Sequence, residues 1–139
     1  MLDREMLYEA LHKEIPILTT QIRKLYAELD QKFHLEGAKV PMTFGMDRDC
    51  LGSYTQAGGG EREHFSLLFV GYSVEHPLSR DDRMDLYKHE YAHYMQAHMK
   101  IPEKYQWQTG KHGSAWKYCC SLVGAAPTPY YKAGEALMN

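Results

Sequence analysis

The chain has 139 residues, 44% of them apolar and 24% charged, with a formal net charge of −2 and a pI near 6.4. A chain of that length builds one core without staples, and the balance is that of an ordinary globular protein, so a single domain over residues 1–139 is expected. The near-neutral charge and the lack of any long basic run argue against a general electrostatic pull toward nucleic acid or an anionic membrane surface.

The first ten residues, MLDREMLYEA, carry charge from the third position and lack an apolar run, so no secretion signal is expected. Leu2, Met6, Leu7, Ala10 and Leu11 then predict a short first helix, with Pro16 marking a break or a fresh start. A second stripe, Leu18, Ile22, Leu25, Leu29 and Phe33, recurs every three or four residues and predicts an amphipathic helix covering the core, stopped at Gly37.

From residue 40 the period changes. VPMTF (40–44) and CLGSYTQ (50–56) read as short strands, AGGGERE (57–63) as a turn, and HFSLLFVGY (64–72) as a further, largely buried strand. The apolar run around LLFVGY is the longest in the chain and far too short for a membrane span. Ser79 is positioned to cap a helix whose first turn carries Asp81 and Asp82, and that helix should run to about residue 98, before Pro102. A polar and aromatic loop follows. HGSAWKYCCSLVG then reads as a final helix with Trp116, Cys119, Cys120 and Val123 on its buried side, and Pro127 and Pro129 make the tail irregular at first.

Cys50, Cys119 and Cys120 form no C-x-x-C pair, and an odd count with two adjacent members is not a disulfide framework. A reducing cytoplasm is the expected setting. Adjacent helical cysteines point about 100° apart, so burial as small apolar groups is expected rather than shared ligation.

The chemistry concentrates in the predicted helix at 79–98. His89, Glu90 and His93 spell H-E-x-x-H, and residues i and i+4 share a helix face, so both imidazoles can address one ion. Glu90, one step round the helix, can reach a water on that ion. So short a motif needs structural context, and a capped helix after a strand region supplies it. A catalytic zinc takes three protein ligands and keeps a fourth position open. His112 is the candidate third ligand, nineteen residues beyond His93, and Gly113 beside it allows close backbone approach.

HEYAH (89–93) followed by HGSAWKYCCSLVGAAPTPYY (112–131) resembles the SprT-like metalloprotease family, with H-E-x-x-H, a loop, and H-G-x-x-[FW] opening a helix. The strands at CLGSYTQ and HFSLLFV are similar to the hairpin that precedes that family's zinc helix. The resemblance runs from about residue 18 to 131 and is specific only in the two histidine motifs. It implies a zincin-like α+β fold with N-terminal helices, a small sheet and a C-terminal helix. It also implies Zn2+ held by His89, His93 and His112, Glu90 as the catalytic carboxylate, and a protein or peptide substrate. Relatives with a cysteine-rich zinc ribbon or DNA-binding regions have no counterpart here, so a nucleic-acid partner carries over from the resemblance alone. Two other functions compete with a metallopeptidase: a non-enzymatic adaptor or regulatory domain with a structural zinc, and a different metal-dependent hydrolase.

The remaining candidates receive blander readings. His98, five residues past His93, points away from the zinc face and is expected on the surface or against a loop. His12, His34, His64 and His76 lack spaced partners and receive no metal role. Trp116 is expected to pack behind His112. Tyr94, Tyr105, Tyr130 and Tyr131 all stand available as helpers of catalysis, and the sequence does not choose among them. The strand at 64–72 is a candidate edge for pairing with an extended peptide.

Overall fold

The structure, a computed structural model, describes residues 3–108 and 110–128. It is an α+β fold: helices α1 (Arg4–Lys13) and α2 (Ile15–Phe33), strands β1 (Met42–Gly45), β2 (Gly52–Ala57) and β3 (Gly60–Ser66), then helices α3 (Leu67–Val70), α4 (Arg80–His98) and α5 (Ser114–Val123). Asp3 caps α1 through its side chain, and Pro16 sits in the first turn of α2, where a missing N–H does no harm.

The second helix stops earlier than its glycine signal. His34 takes the left-handed conformation (φ 57°) and sends its N–H to the Asp30 carbonyl, so the C-cap is a histidine. Gly37 has a different role. A Cβ there would lie 2.7 Å from Cε1 of Tyr91, so glycine is what lets this turn close against α4. Asp30 fixes the same junction: its carboxylate accepts from Gly37 N (2.7 Å), Ala38 N (2.9 Å) and the Tyr91 hydroxyl (2.7 Å).

The sheet has the order β1-β3-β2, with β1 parallel and β2 antiparallel to the central β3. Two expectations change here. The turn is only Gly58–Gly59, because Ala57 pairs with Gly60 and both strands extend into the glycine run; Gly60 alone carries a positive φ, 115°. The segment 64–72 is not one strand. β3 begins at Gly60 and ends at Ser66, whose hydroxyl accepts from Leu68 N and caps the single helical turn α3. An apolar run of this length fits strand or buried helix equally well, and a capping serine inside it decides. Since β3 lies between β1 and β2, it is not the edge available for peptide pairing; β2 borders the cleft described below.

Helix α4 runs through the middle of the molecule. Its cap is Ser79, whose hydroxyl accepts from Asp82 N at 3.1 Å. Residues 89 to 92 are buried in succession, so the helix is enclosed on most sides rather than along one stripe. Tyr26 and Phe65 pack edge-on against Tyr91 and Tyr87, with ring centres 4.9 and 5.3 Å apart, joining α2 and the sheet to α4. Arg83, also buried, donates to the carbonyls of Val70 (2.9 Å) and Gly71 (3.2 Å) and anchors the end of α3. No helix among the described residues is long and apolar enough to cross a membrane.

Candidate metal centre

His89 and His93 project from one face of α4, and His112 approaches from the turn before α5. One ring nitrogen from each lies within 4.8 Å of the others, and together they form a group able to hold a metal ion. Tetrahedral zinc at its usual bond lengths holds its nitrogens about 3.4 Å apart, a spacing of the same order. Burial first, then the neighbouring His112, pushes the His89 imidazole down to about 4. Burial, with the other two rings and Lys111, takes His93 down to about 3. His112 is lowered in the same way, by burial and then Lys111. All three rings are therefore neutral at neutral pH, with the lone pairs a metal requires. The donor set fits a divalent metal.

Trp116 is the platform beneath the site. It is fully buried and lies 4.7 Å from His89, 5.2 Å from His93 in a stacked arrangement and 4.7 Å from His112, centre to centre. It touches all three imidazoles rather than His112 alone, and its burial leaves no face for substrate. Ser114 secures the third histidine. Its hydroxyl donates to the Tyr105 carbonyl (2.6 Å) and accepts from Gln108 N (3.1 Å), tying the loop ahead of His112 to the start of α5. Gln96 of α4 donates to the Gly110 carbonyl at 3.4 Å.

The three histidines open onto a cleft of about 840 Å³, walled on one side by β2 from Gly52 to Gln56 and on the other by Gln96, Gly110 and Lys111. Glu90 lines it and is almost wholly buried. Burial pushes its carboxyl up to about 8, against the opposing pull of the Lys111 cation. In the metal-free site the carboxyl therefore holds its proton at neutral pH, and a cation on the neighbouring histidines would draw it back toward the ionised form that a base requires.

The other candidates fall outside the cluster. His98 stacks on Tyr94 and pairs with Glu61 at 2.5 Å, linking the end of α4 to the hairpin. His64 bridges Thr43 (2.7 Å) and Asp47 (2.6 Å), and His12 bonds to the Tyr8 carbonyl. Among the proposed tyrosine helpers, the Tyr94 hydroxyl accepts from Glu36 N and Tyr105 stacks on Tyr118; Tyr130 and Tyr131 lie outside the described residues. The tyrosine lining the cleft is Tyr54, on β2, with its hydroxyl donated to Glu61. Cys119 and Cys120 are both fully buried, and burial pushes both thiols up to about 12, which makes them inert packing groups.

Sequence reasoning overlooked Tyr54, Lys111, Ser114 and a buried acid, Glu63. Only Glu63 left a readable trace: with 60–66 taken as a strand, alternation puts Glu61, Glu63 and Phe65 on one face, an anomaly for a core. No family model, curated protein or solved structure matches this chain.

Proposed function

We propose that the chain is a zinc-dependent metallopeptidase of SprT-like type, with His89, His93 and His112 as metal ligands and Glu90 as the general base. The observation that carries this reading is the convergence of three neutral imidazoles beside a buried carboxyl at the floor of an open cleft. Three imidazoles suit zinc. A structural zinc closes its coordination with four protein ligands. Here the described residues supply three, and all three line the open cleft, which disfavours the adaptor reading.

Zinc held by these residues supplies a Lewis acid that polarises the scissile carbonyl and acidifies water. Glu90 accepts the proton of the attacking water at its carboxylate and delivers it to the departing amide nitrogen. Lys111 places a positive charge beside the base and favours the charge that develops on the substrate carbonyl oxygen. An extended peptide lies along β2, whose outer edge borders the cleft, and pairs with its backbone.

The test is hydrolysis of unstructured casein and quenched-fluorescent peptides by zinc-loaded protein, with and without single-stranded DNA. Glu90→Gln retains zinc at wild-type stoichiometry and loses at least about 100-fold in hydrolysis. His112→Ala loses zinc retention. A Glu90→Gln protein as active as wild type removes the mechanism.

A further inference from the structure

The cleft beside the histidines is uneven in charge. Its β2 wall, from Gly52 to Gln56, carries no charged side chain, and neither does α4 at Gln96 and Ala97. Apart from the histidines, the acidic and basic residues lining it are Glu90, buried at the floor, and Lys111, exposed at the rim. Glu61, opposite Gln56 in the hairpin, is already engaged: it accepts from the Tyr54 hydroxyl and pairs with His98 at 2.5 Å. Among the described residues, the cleft therefore offers no free carboxylate to a basic side chain of a substrate.

Lys111 is fixed at the rim through the backbone. The Gly110 carbonyl accepts from Gly113 N and from the Gln96 side chain, both at 3.4 Å, which closes the turn around Lys111 and His112 and ties it to α4. The Lys111 charge reaches Glu90, His93 and His112. No carboxylate among the described residues forms an ion pair with it. A cation at the mouth of a cleft, left unpaired by the protein, is open to an anion from outside. A divalent metal on three neutral imidazoles adds positive charge on the same side, although the chain as a whole carries −2.

We propose that Lys111 is a specificity-determining residue: its ammonium group pairs with the carboxylate of an aspartate or glutamate one or two residues from the scissile bond, so that acidic peptide segments are the preferred substrates. This rests on the peptidase reading and names its substrate class. The reach follows from geometry. Lys111 is the chain neighbour of His112, about 3.8 Å away at Cα, and an extended peptide advances about 3.3 Å per residue along β2. A carboxylate held there falls within two residues of the carbonyl under attack. A peptide fits better than nucleic acid, since β2 supplies an edge for backbone pairing, whereas one lysine without a basic run makes few phosphate contacts.

The test measures binding apart from cleavage. It uses the full chain carrying Glu90→Gln, zinc-loaded, and dye-labelled decapeptides of Gly, Ser and Ala with two Asp, two Asn or two Lys near the centre. In fluorescence anisotropy at low ionic strength, the Asp peptide binds about five- to tenfold more tightly than the Asn peptide, and the Lys peptide binds most weakly. High salt shrinks the difference. Lys111 is exposed, so its variants fold. Lys111→Ala lowers the Asp-to-Asn ratio at least about threefold, leaving the pull of the metal, and Lys111→Glu lowers it further. In the hydrolytically competent chain the acidic residues lower KM and leave kcat in place, as uniform binding does. A ratio unchanged in both variants overturns the proposal. So does Lys111-dependent binding of a single-stranded oligonucleotide with no preference among the peptides. Absence of hydrolysis with the Lys111-dependent ratio intact removes the peptidase reading and leaves the acidic-peptide site.

Discussion

The indole Nε1 of Trp116 donates to the main-chain carbonyl of His89 at 3.4 Å. A residue of α5 thus touches the backbone of the helix that carries two of the three histidines, while its ring supports all three imidazoles. Trp116→Ala should cost about 3–5 kcal/mol, as expected for emptying a large buried site. Trp116→Phe should stay folded yet bind metal about tenfold more weakly, because one wall of the cluster recedes. Urea denaturation and chelator competition measure the two effects. Wild-type metal affinity in Trp116→Phe would reduce Trp116 to a packing residue.

Ser114→Ala should loosen the loop before His112. The change leaves the Tyr105 carbonyl and Gln108 N without the hydroxyl they share, at about 1–3 kcal/mol. The expected signature is faster protease cleavage near residues 104–111 and faster metal loss to a chelator. A variant with unaltered metal off-rate would show that the loop holds His112 without this anchor.

Gly37→Ala should destabilise by about 1–3 kcal/mol through overpacking, since the new methyl meets Tyr91 at 2.7 Å. The strain falls on α4 next to Glu90. Thermal melts give the size of the effect. A melting temperature equal to wild type would mean that the turn at 37–39 yields freely.

The metal-free protein should be most stable in mildly acidic solution. His89 and His93 are lowered from 6.5 to about 4 and about 3. Below pH 6.5 the unfolded chain therefore binds protons that the folded chain refuses, and stability falls as pH drops toward those folded values. Glu90 is raised from 4.5 to about 8, and Glu63 is raised as well. The folded chain thus keeps protons that the unfolded chain releases above pH 4.5, and stability falls as pH rises through about 8. Only the histidines act below 4.5 and only the carboxyls act above 6.5, so the maximum lies between. Melts in chelator across this range test it, and Glu90→Gln should flatten the alkaline limb. A steady rise in stability from pH 6.5 to 8 would contradict the buried state of these carboxyls.

Much of the fold was legible because it is written in local patterns. Ser79 with two following acids located the start of α4, and the stripe from Leu18 to Phe33 located α2. Misreadings came where two local rules competed. The run Leu67–Val70 suited strand and helix alike, and the Ser66 cap resolved it; the glycines at 58–60 suggested a broad turn, whereas ladder pairing carried both strands to within two residues of each other.

By itself the sequence determined that His89 and His93 share a helix face with Glu90 beside them, since four residues make about one helical turn. It also nominated His112 as the third ring through spacing and the H-G-x-x-W resemblance, but where the chain returns after the loop beyond α4 is not written in any local pattern. Only the tertiary structure decided that His112 returns over Trp116 while His98 turns to Glu61, and that Glu63 is buried on the central strand. Contacts between distant segments follow from packing of the whole core, and no short stretch of residues encodes them.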